Sequence, residues 1–533
     1  MNTFTKGNKT LLIYLLPTVV LCLYFLVVSF SAPLHDFSNS YFSARLLHDG
    51  IAPETVIFDI HAFNTYIWEL GYTDELVDFY VNSPFTLAAF YPLAYIENPY
   101  VAKLIFNGIS ILLFLIGLYL LAKKTVKNSQ WLLLIIPILF YVPIRNNIVF
   151  GQSYFMILFL VVAGYYFLER QKRYGTALLL GFAALLKFFP AFYGIPLAFQ
   201  KRWKTILLCI GATLLLVLLG ISITGYTLWA SYFTDILPHT FLSKTTIDYR
   251  YNYQSLEVFS KLLFVEDAYY NPNVWIDNER VHHIFMWIVK ALVIGSAVGI
   301  SFRKKNNIST LLAIWVMALF LIQSRTVTYT LILLVIPLFV AFSSAIKTKY
   351  KLMLLGVTLL ICNFPFHKLG GMPLVIQFSR LWLVILLSIS LYVSIGGKLY
   401  IKHVLIVFLL MSPLYYNSLK SKTPEISQYA LSEKKHFMIY DFYNEEGKLA
   451  YKALGRNGEE TIATDFSVTS FDTEAVTIKD HQLYIDNRMI TKTISLKKKP
   501  VLVNNSRVYF LTDHHSRRGA FTLKYIDISS LDH

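Results

Sequence analysis

A predominantly apolar run at residues 11–30, followed by twelve more before residue 417, leaves this chain few folds open to it. About 20 apolar residues span a bilayer as a helix, because a helix satisfies every backbone polar group internally. The first run follows a short basic start with Lys6 and Lys9. Its apolar core is longer than the roughly 7–15 residues of a signal peptide, and Pro33 directly follows Ala32, so it reads as a retained anchor. Further runs lie near 100–122, 130–144, 152–168, 174–186, 189–199, 205–223, 284–302, 308–323, 327–345, 352–363, 374–395 and 402–416. The expected fold is an all-α polytopic membrane body over residues 1–416 with about 13 transmembrane helices.

Composition supports lipid as the solvent. Hydrophobic residues make up 56% and charged residues 15%, and mean hydropathy is +0.52. That balance excludes a soluble enzyme, a disordered chain and a collagenous chain. Cys22, Cys209 and Cys362 all fall inside apolar runs, so no disulfide framework is available. The net charge of +16 is not a nucleic-acid footprint, because the cations sit in short clusters between apolar runs rather than on one folded face. No nucleic-acid partner is expected; membrane lipid is.

Those clusters set an orientation. Lys123/Lys124/Lys127, Arg170/Lys172/Arg173, Lys201/Arg202/Lys204, Arg303/Lys304/Lys305, Lys347/Lys349/Lys351 and Lys398/Lys402 all become cytoplasmic if the N-terminus is inside. Of the 17 Asp and Glu before residue 417, only Glu169 then falls in a cytoplasmic turn. The others lie in segments 31–99 and 225–283, which become exterior. The expected location is a bacterial inner membrane, crossed many times, with the C-terminal region outside.

This layout restricts the chemistry. Cytoplasmic connections are too short to fold a nucleotide-binding domain, and neither G-x-x-x-x-G-K-[ST] nor a strand-linked G-x-G-x-x-G occurs. Gly370-Gly371 and Gly396-Gly397 read as loop hinges. An active site must be built from the two exterior loops resting on helix ends, without direct access to ATP or nucleotide sugars.

Residues 417–533 are a different kind of sequence. Short β-type segments occur at Phe437–Phe442, Ala475–Ile478, Gln482–Ile485 and Arg507–Leu511. Turn signals punctuate them at Glu446-Gly447, Asn457-Gly458, Asp486-Asn487 and Asn504-Asn505. They predict a small, soluble, all-β exterior domain, too short for a closed propeller. Docking of a substrate or partner and plain stabilisation are both open as its role.

Several polar residues stand where chemistry could occur. Asp36 follows the first span immediately and precedes a segment, Ser40–Leu47, that predicts a helix on the membrane surface. A carboxylate there can accept a proton from a sugar hydroxyl, with Arg45 as a neighbouring cation; it can equally be a helix cap. Asp59-Ile60-His61 invites a metal, but no third ligand accompanies it, and a solvated loop is the simpler account. His282-His283 are adjacent and cannot share one helix face, so they read as an interfacial feature. Lys187, between two short apolar segments, must lie near an exterior turn with Pro190; it either binds an anionic lipid phosphate or snorkels to the interface. Arg325, in Gln323-Ser324-Arg325, admits the same two readings.

The order of these features resembles glycosyltransferase family 87, membrane enzymes of the GT-C superfamily that use polyprenyl-phosphate sugars. The likeness covers roughly residues 10–345. It rests on Asp36 with Tyr41 and Leu47-His48-Asp49-Gly50, on Ser83-Pro84-Phe85 with Tyr91-Pro92-Leu93, and on Gly151-Gln152. It continues through Gly181-Phe182-Ala183 to Lys187–Pro190, then Lys201-Arg202-Trp203 and Gln254-Ser255-Leu256. The resemblance implies a GT-C-like helical body with an exterior active site. It implies Asp36 as general base, Lys187 at the donor phosphate, and Gln152, Gln254 and Ser255 lining the cavity. The chain departs from the family pattern at Tyr154 and Tyr253, where Asn is the commoner residue, and at Tyr329, near the place of a frequent His.

The implied reaction is inverting transfer of a hexose, with mannose favoured, from a polyprenyl-phosphate donor to a glycan or glycolipid acceptor. The base and the phosphate-binding cations must then lie on opposite sides of the sugar, with Lys187 or Arg325 as the phosphate clamp and Arg45 as a further substrate-binding candidate beside Asp36. No cofactor beyond the lipid-linked donor, and no divalent metal, is implied. The competing expectations are a lipid-linked glycan polymerase or ligase and a lipid or glycan transporter. A transporter would place its ionisable residues mid-span, whereas here the acids lie in loops.

Overall fold

The computed structural model describes residues 6–79, 82–125, 129–241, 249–268, 270–343, 348–398, 400–419, 427–431, 436–455, 458–479, 482–491, 495–513 and 519–531. Lys127, Lys347 and Asn457 lie outside them. Every apolar run named above is helical. By length and apolarity, however, the structure supports four spans against the 13 expected: Lys9–Ser31, Pro99–Lys124, Trp203–Thr224 and Glu279–Arg303. A fifth is a pair, Leu132–Leu139 and Tyr141–Val149, bent by 65°. The shortfall is geometric. At 1.5 Å per residue, a 16-residue helix such as Tyr154–Glu169 reaches about 24 Å, short of a hydrocarbon core of roughly 30 Å.

These helices enclose one large apolar core while presenting other apolar side chains outward. Trp203–Thr224 is the extreme case. Only 11% of its most apolar window is buried, and Leu207, Leu214 and Leu218 are all exposed. Lipid is the solvent that such a face requires. Elsewhere small residues let helices approach closely. A Cβ at Gly295 would lie 2.5 Å from Val404 Cα, and one at Gly299 would lie 2.5 Å from the Tyr400 ring. Helix Ile401–Leu419 therefore packs tightly along Glu279–Arg303, and Trp287 stacks on Phe408 at 4.0 Å.

The segment 31–99 is only partly buried, but its first helix is largely internal. That helix runs Asp36–His48 and hides Phe37, Tyr41, Phe42 and Leu46 among residues of the neighbouring helices. This corrects the expectation of a helix lying on the membrane surface. Its apolar side chains are covered by protein rather than by the membrane interface.

Beyond residue 427 the structure is β. Three antiparallel sheets form, of five, three and three strands. Strand pairs Met438–Glu445/Lys448–Gly455, Gln482–Ile485/Arg488–Met489 and Lys497–Val503/Arg507–Thr512 are tight hairpins. Their turns fall at the predicted Glu446-Gly447, Asp486-Asn487 and Asn504-Asn505, all with positive φ, as turns that match strand twist require.

This β region does not stand apart from the helical body. Ile60 of segment 31–99 and Tyr232 and Ile236 of segment 225–283 share one apolar core with Met438, Phe442 and Tyr509. Polar contacts reinforce it. Lys498 pairs with Asp59 at 3.4 Å, His61 meets Glu459 at 2.7 Å and stacks on Tyr440 at 3.9 Å, and the Tyr429 hydroxyl donates to Asp267 at 2.8 Å. Asp59 also caps helix Ile60–Glu69 by accepting from the Ala62 amide at 3.1 Å. Asp59 and His61 are thus interface residues rather than parts of a solvated loop.

Candidate active site

Asp36 is positioned by a sharply turned chain. Lys103 Nζ donates to the Pro33 carbonyl at 2.7 Å, and the Leu34 amide donates to Glu75 at 2.9 Å. His35 then adopts φ 53°, a left-handed conformation uncommon outside glycine. Asp36 is the first helical residue and His35 the cap, so Asp36 is not the helix cap. Its half-buried carboxylate accepts a hydrogen bond from Gln152 Nε2.

The Gly151-Gln152 pair makes that contact possible. Gly151 has φ 65°, and a Cβ there would lie 2.6 Å from Phe37 Cβ. The Phe37 amide donates to the Phe150 carbonyl at 3.0 Å. Glycine is needed both for the turn and for the approach of the Asp36 helix.

Lys187 lies in the expected turn, between helices Arg173–Leu186 and Phe189–Gly194, and is half-buried. Its Nζ donates to Asn82 Oδ1 at 2.7 Å. The Ser83 hydroxyl donates to the Leu185 carbonyl and the Thr86 hydroxyl to Leu186 at 3.4 Å, which docks the 82–86 segment onto this helix end. Burial lowers the Lys187 ammonium to about 8; Asp36 and Asp78 oppose that shift, and Arg325 adds to it. Lys187 thus shares one electrostatic neighbourhood with a base candidate and a second cation.

Arg325 sits on the irregular segment between helix Ile308–Ile322 and the turn starting at Thr328, 5.8 Å from the Tyr253 ring centroid. Tyr154 and Tyr329, with rings 5.3 Å apart, feel both Asp36 and Arg325. The structure therefore brings together Asp36, Gln152, Lys187, Arg325 and Tyr329.

Three of the residues expected at the site do other work. Arg45 is nine residues along the helix from Asp36, about 13 Å away by helical rise. It pairs with Asp49 at 2.8 Å, and Tyr66 holds the other oxygen of Asp49 at 2.8 Å. Ser255 is buried; its hydroxyl donates to the Ser324 carbonyl at 2.6 Å and caps helix Leu256–Phe264 by accepting from Val258 at 3.2 Å. Gln254, also buried, donates to the carbonyls of Tyr251 and Gln377 at 2.8 and 2.9 Å. Ser255 thus holds the backbone next to Arg325, and Gln254 ties its own turn to Gln377. His282 is likewise internal, bonded to Ser260 at 2.9 Å, not interfacial.

Sequence reasoning missed Asp78 and Asn82. The Asp78 amide donates to Asn39 Oδ1 at 3.2 Å, one turn along the helix from Asp36. The only available signal was their place just ahead of Ser83-Pro84, a helix start. Among the described residues, no three His, Cys, Asp or Glu converge as a metal set.

Residues 80–342 match the model of glycosyltransferase family 87. This shows the resemblance drawn from the motifs, and glycosyltransferase is the enzyme class it carries. The family-87 stretch takes in Asn82, Gln152, Lys187, Arg325 and Tyr329, while Asp36 and Asp78 precede it. A curated relative, GPI mannosyltransferase 1 of Kluyveromyces lactis, is 25% identical over 214 residues, which is 37% of this chain and 50% of that protein. The chain thus spans about half the length of the curated relative it matches. No solved structure matches.

Proposed function

We propose that this protein transfers a hexose, mannose in the first instance, from a polyprenyl-phosphate donor to a glycan or glycolipid acceptor at the exterior membrane surface. The observation that carries the reading is that Asp36, held by Gln152, and Lys187, held by Asn82, lie in one neighbourhood with Asp78 and Arg325. Asp36 takes the proton of the acceptor hydroxyl as its oxygen attacks the anomeric carbon. The bond from that carbon to the phosphate oxygen breaks with inversion, and the departing charge is met by Lys187 and Arg325. Gln152 orients the base, and Asn82 holds Lys187.

A lipid-linked donor has support in the body of the protein. An apolar cavity of about 560 Å³ lies between helices Glu279–Arg303, Ile308–Ile322, Val335–Ser343 and Ser379–Ser394. Its lining includes Leu256, two residues after Gln254, and Leu321, four residues before Arg325, and reaches Lys398. A tail held there would present its phosphate towards Arg325.

The test is release of polyprenyl phosphate by the full-length protein in liposomes supplied with synthetic polyprenyl-phosphate hexoses and a panel of acceptors. Wild type releases it and Asp36→Asn does not. Equal release by both removes Asp36 from the mechanism, and no release with any donor and acceptor removes the transfer reading.

A further inference from the structure

The helix ends that the charge asymmetry makes cytoplasmic carry many cations, and several of them are engaged locally. Lys124 pairs with Glu169 at 2.6 Å, and Lys351 and Arg303 donate to the carbonyls of Phe342 and Gly396 at 2.9 and 2.8 Å. Arg170, Lys172 and Lys123 lie over the rings of Tyr166, Phe167 and Tyr119, at 3.6, 5.6 and 5.6 Å. Among the described residues Arg173, Lys204, Lys304, Lys398 and Lys402 show no such side-chain engagement, and neither do Lys201 and Lys305. Lys201 and Lys305 are both exposed, and among the described residues neither has an acid, carbonyl or ring partner.

These two lysines face a single concavity of about 430 Å³, lined by Phe199, Gln200, Lys201, Arg202, Lys305 and Asn306, with no carboxylate. Its wall is built rather than incidental. Gln200 Nε2 donates to the Lys305 carbonyl at 3.0 Å, while its Oε1 accepts from Arg202 Nε at 2.9 Å. Arg202 also donates to the Leu168 carbonyl at 3.4 Å. One glutamine therefore ties the two loops together and orients the guanidinium. Lys201 sits at φ 55°, a left-handed conformation that costs a side-chain-bearing residue energy and tightens this turn. The 22-residue helix Trp203–Thr224 begins two residues later, with Arg202 as its cap.

The surroundings select the class of anion. Trp203 is 59% exposed and Phe302 58% exposed, close to the pocket in sequence, and Trp203 opens the span with the least burial. The polar concavity thus adjoins an apolar, lipid-facing surface. We infer that this pocket is a phosphate-binding site for an anionic phospholipid of the cytoplasmic leaflet. The phosphate lies among Lys201, Arg202 and Lys305, and the acyl chains run along Trp203 and the helix it opens. Topogenic charge alone requires cations on this side, but it does not require three of them around one acid-free pocket with a braced wall. The inference does not rest on the proposed sugar transfer, which involves other residues.

The experiment measures binding of fluorescent phosphatidylglycerol to the full-length protein in phosphatidylcholine vesicles. Variants are Lys201→Gln/Lys305→Gln, the charge-preserving Lys201→Arg/Lys305→Arg, and Lys349→Gln as a cation outside the pocket. The glutamine pair is expected to weaken binding by about tenfold or more, with the arginine pair and Lys349→Gln staying within about twofold of wild type. An equal loss from Lys349→Gln would reduce the effect to general surface charge and overturn the site. Unchanged binding in the glutamine pair would overturn it directly. Displacement of the lipid by millimolar inorganic phosphate would assign the pocket to a soluble phosphate and overturn the lipid as occupant.

Discussion

The two acidic segments, 31–99 and 225–283, stand alike between apolar runs, yet they relate to the candidate site in different ways. The first sends side chains into it: Asp36 and Asn82 touch Gln152 and Lys187 directly, and Asp78 acts on Lys187 through space. The second mainly supports it: Ser255 and Gln254 are spent on the carbonyls of Ser324, Tyr251 and Gln377. Tyr253 of this segment approaches the site, beside Arg325. The contrast shows that a polar residue in a recognisable motif can contribute by holding backbone rather than by meeting substrate.

The sharpest way to break this contrast is to compare Asp36→Asn with Ser255→Ala. The first is expected to lower kcat by about 10²–10⁴-fold, the usual worth of a general base. The second removes a helix cap and costs about 1 kcal/mol of stability, with kcat changed only a few-fold. Transfer rates and thermal melts of both proteins decide it; a Ser255→Ala protein as inactive as Asp36→Asn would place the second segment in the chemistry.

Next in size is Gly151→Ala. The left-handed backbone costs an alanine about 1–2 kcal/mol, and the new Cβ must push Phe37 away. Because Phe37 follows Asp36, kcat is expected to fall by about tenfold, while a neighbouring Gly-free substitution such as Ser153→Ala leaves it unchanged. Equal rates in the two variants would detach the first segment from Gly151.

A smaller effect concerns pH. Lys187 carries its charge below about 8 and loses it above, so transfer should decline as pH rises through that value. Lys187→Arg, which stays protonated, should abolish the decline whatever its effect on the plateau rate. A profile that falls identically in both proteins would assign the titration to another group.

The smallest expected effect is Tyr429→Phe, which cuts the bond from the β region to Asp267 of the second segment. It should lower stability by about 1 kcal/mol in thermal unfolding and leave kcat intact. A large loss of activity would mean that the second segment needs the β region to hold Arg325 in place.

Much of the architecture was legible because its signals are local. Apolar runs specify helices, since lipid leaves the backbone no other way to pair its polar groups. Glu446-Gly447 and Asp486-Asn487 specify tight turns, since few residues accept positive φ. Gly151-Gln152 and Lys187–Pro190 were visible as breaks between apolar runs. Asn82, by contrast, carries no local mark: it matters only because Ser83 and Thr86 dock its segment on the end of a helix about 100 residues later.

The sequence by itself determined that the chain is a helical membrane protein with a β-rich C-terminal region, and it marked a set of polar candidates at helix ends. Only the tertiary structure decided which of those residues meet. Arg45 and Asp36 share a helix yet part by about 13 Å, because 1.5 Å of rise accumulates with each residue. Asp36 and Gln152 are far apart in sequence and touch, because Gly151 lets two backbones approach where a side chain would keep them apart.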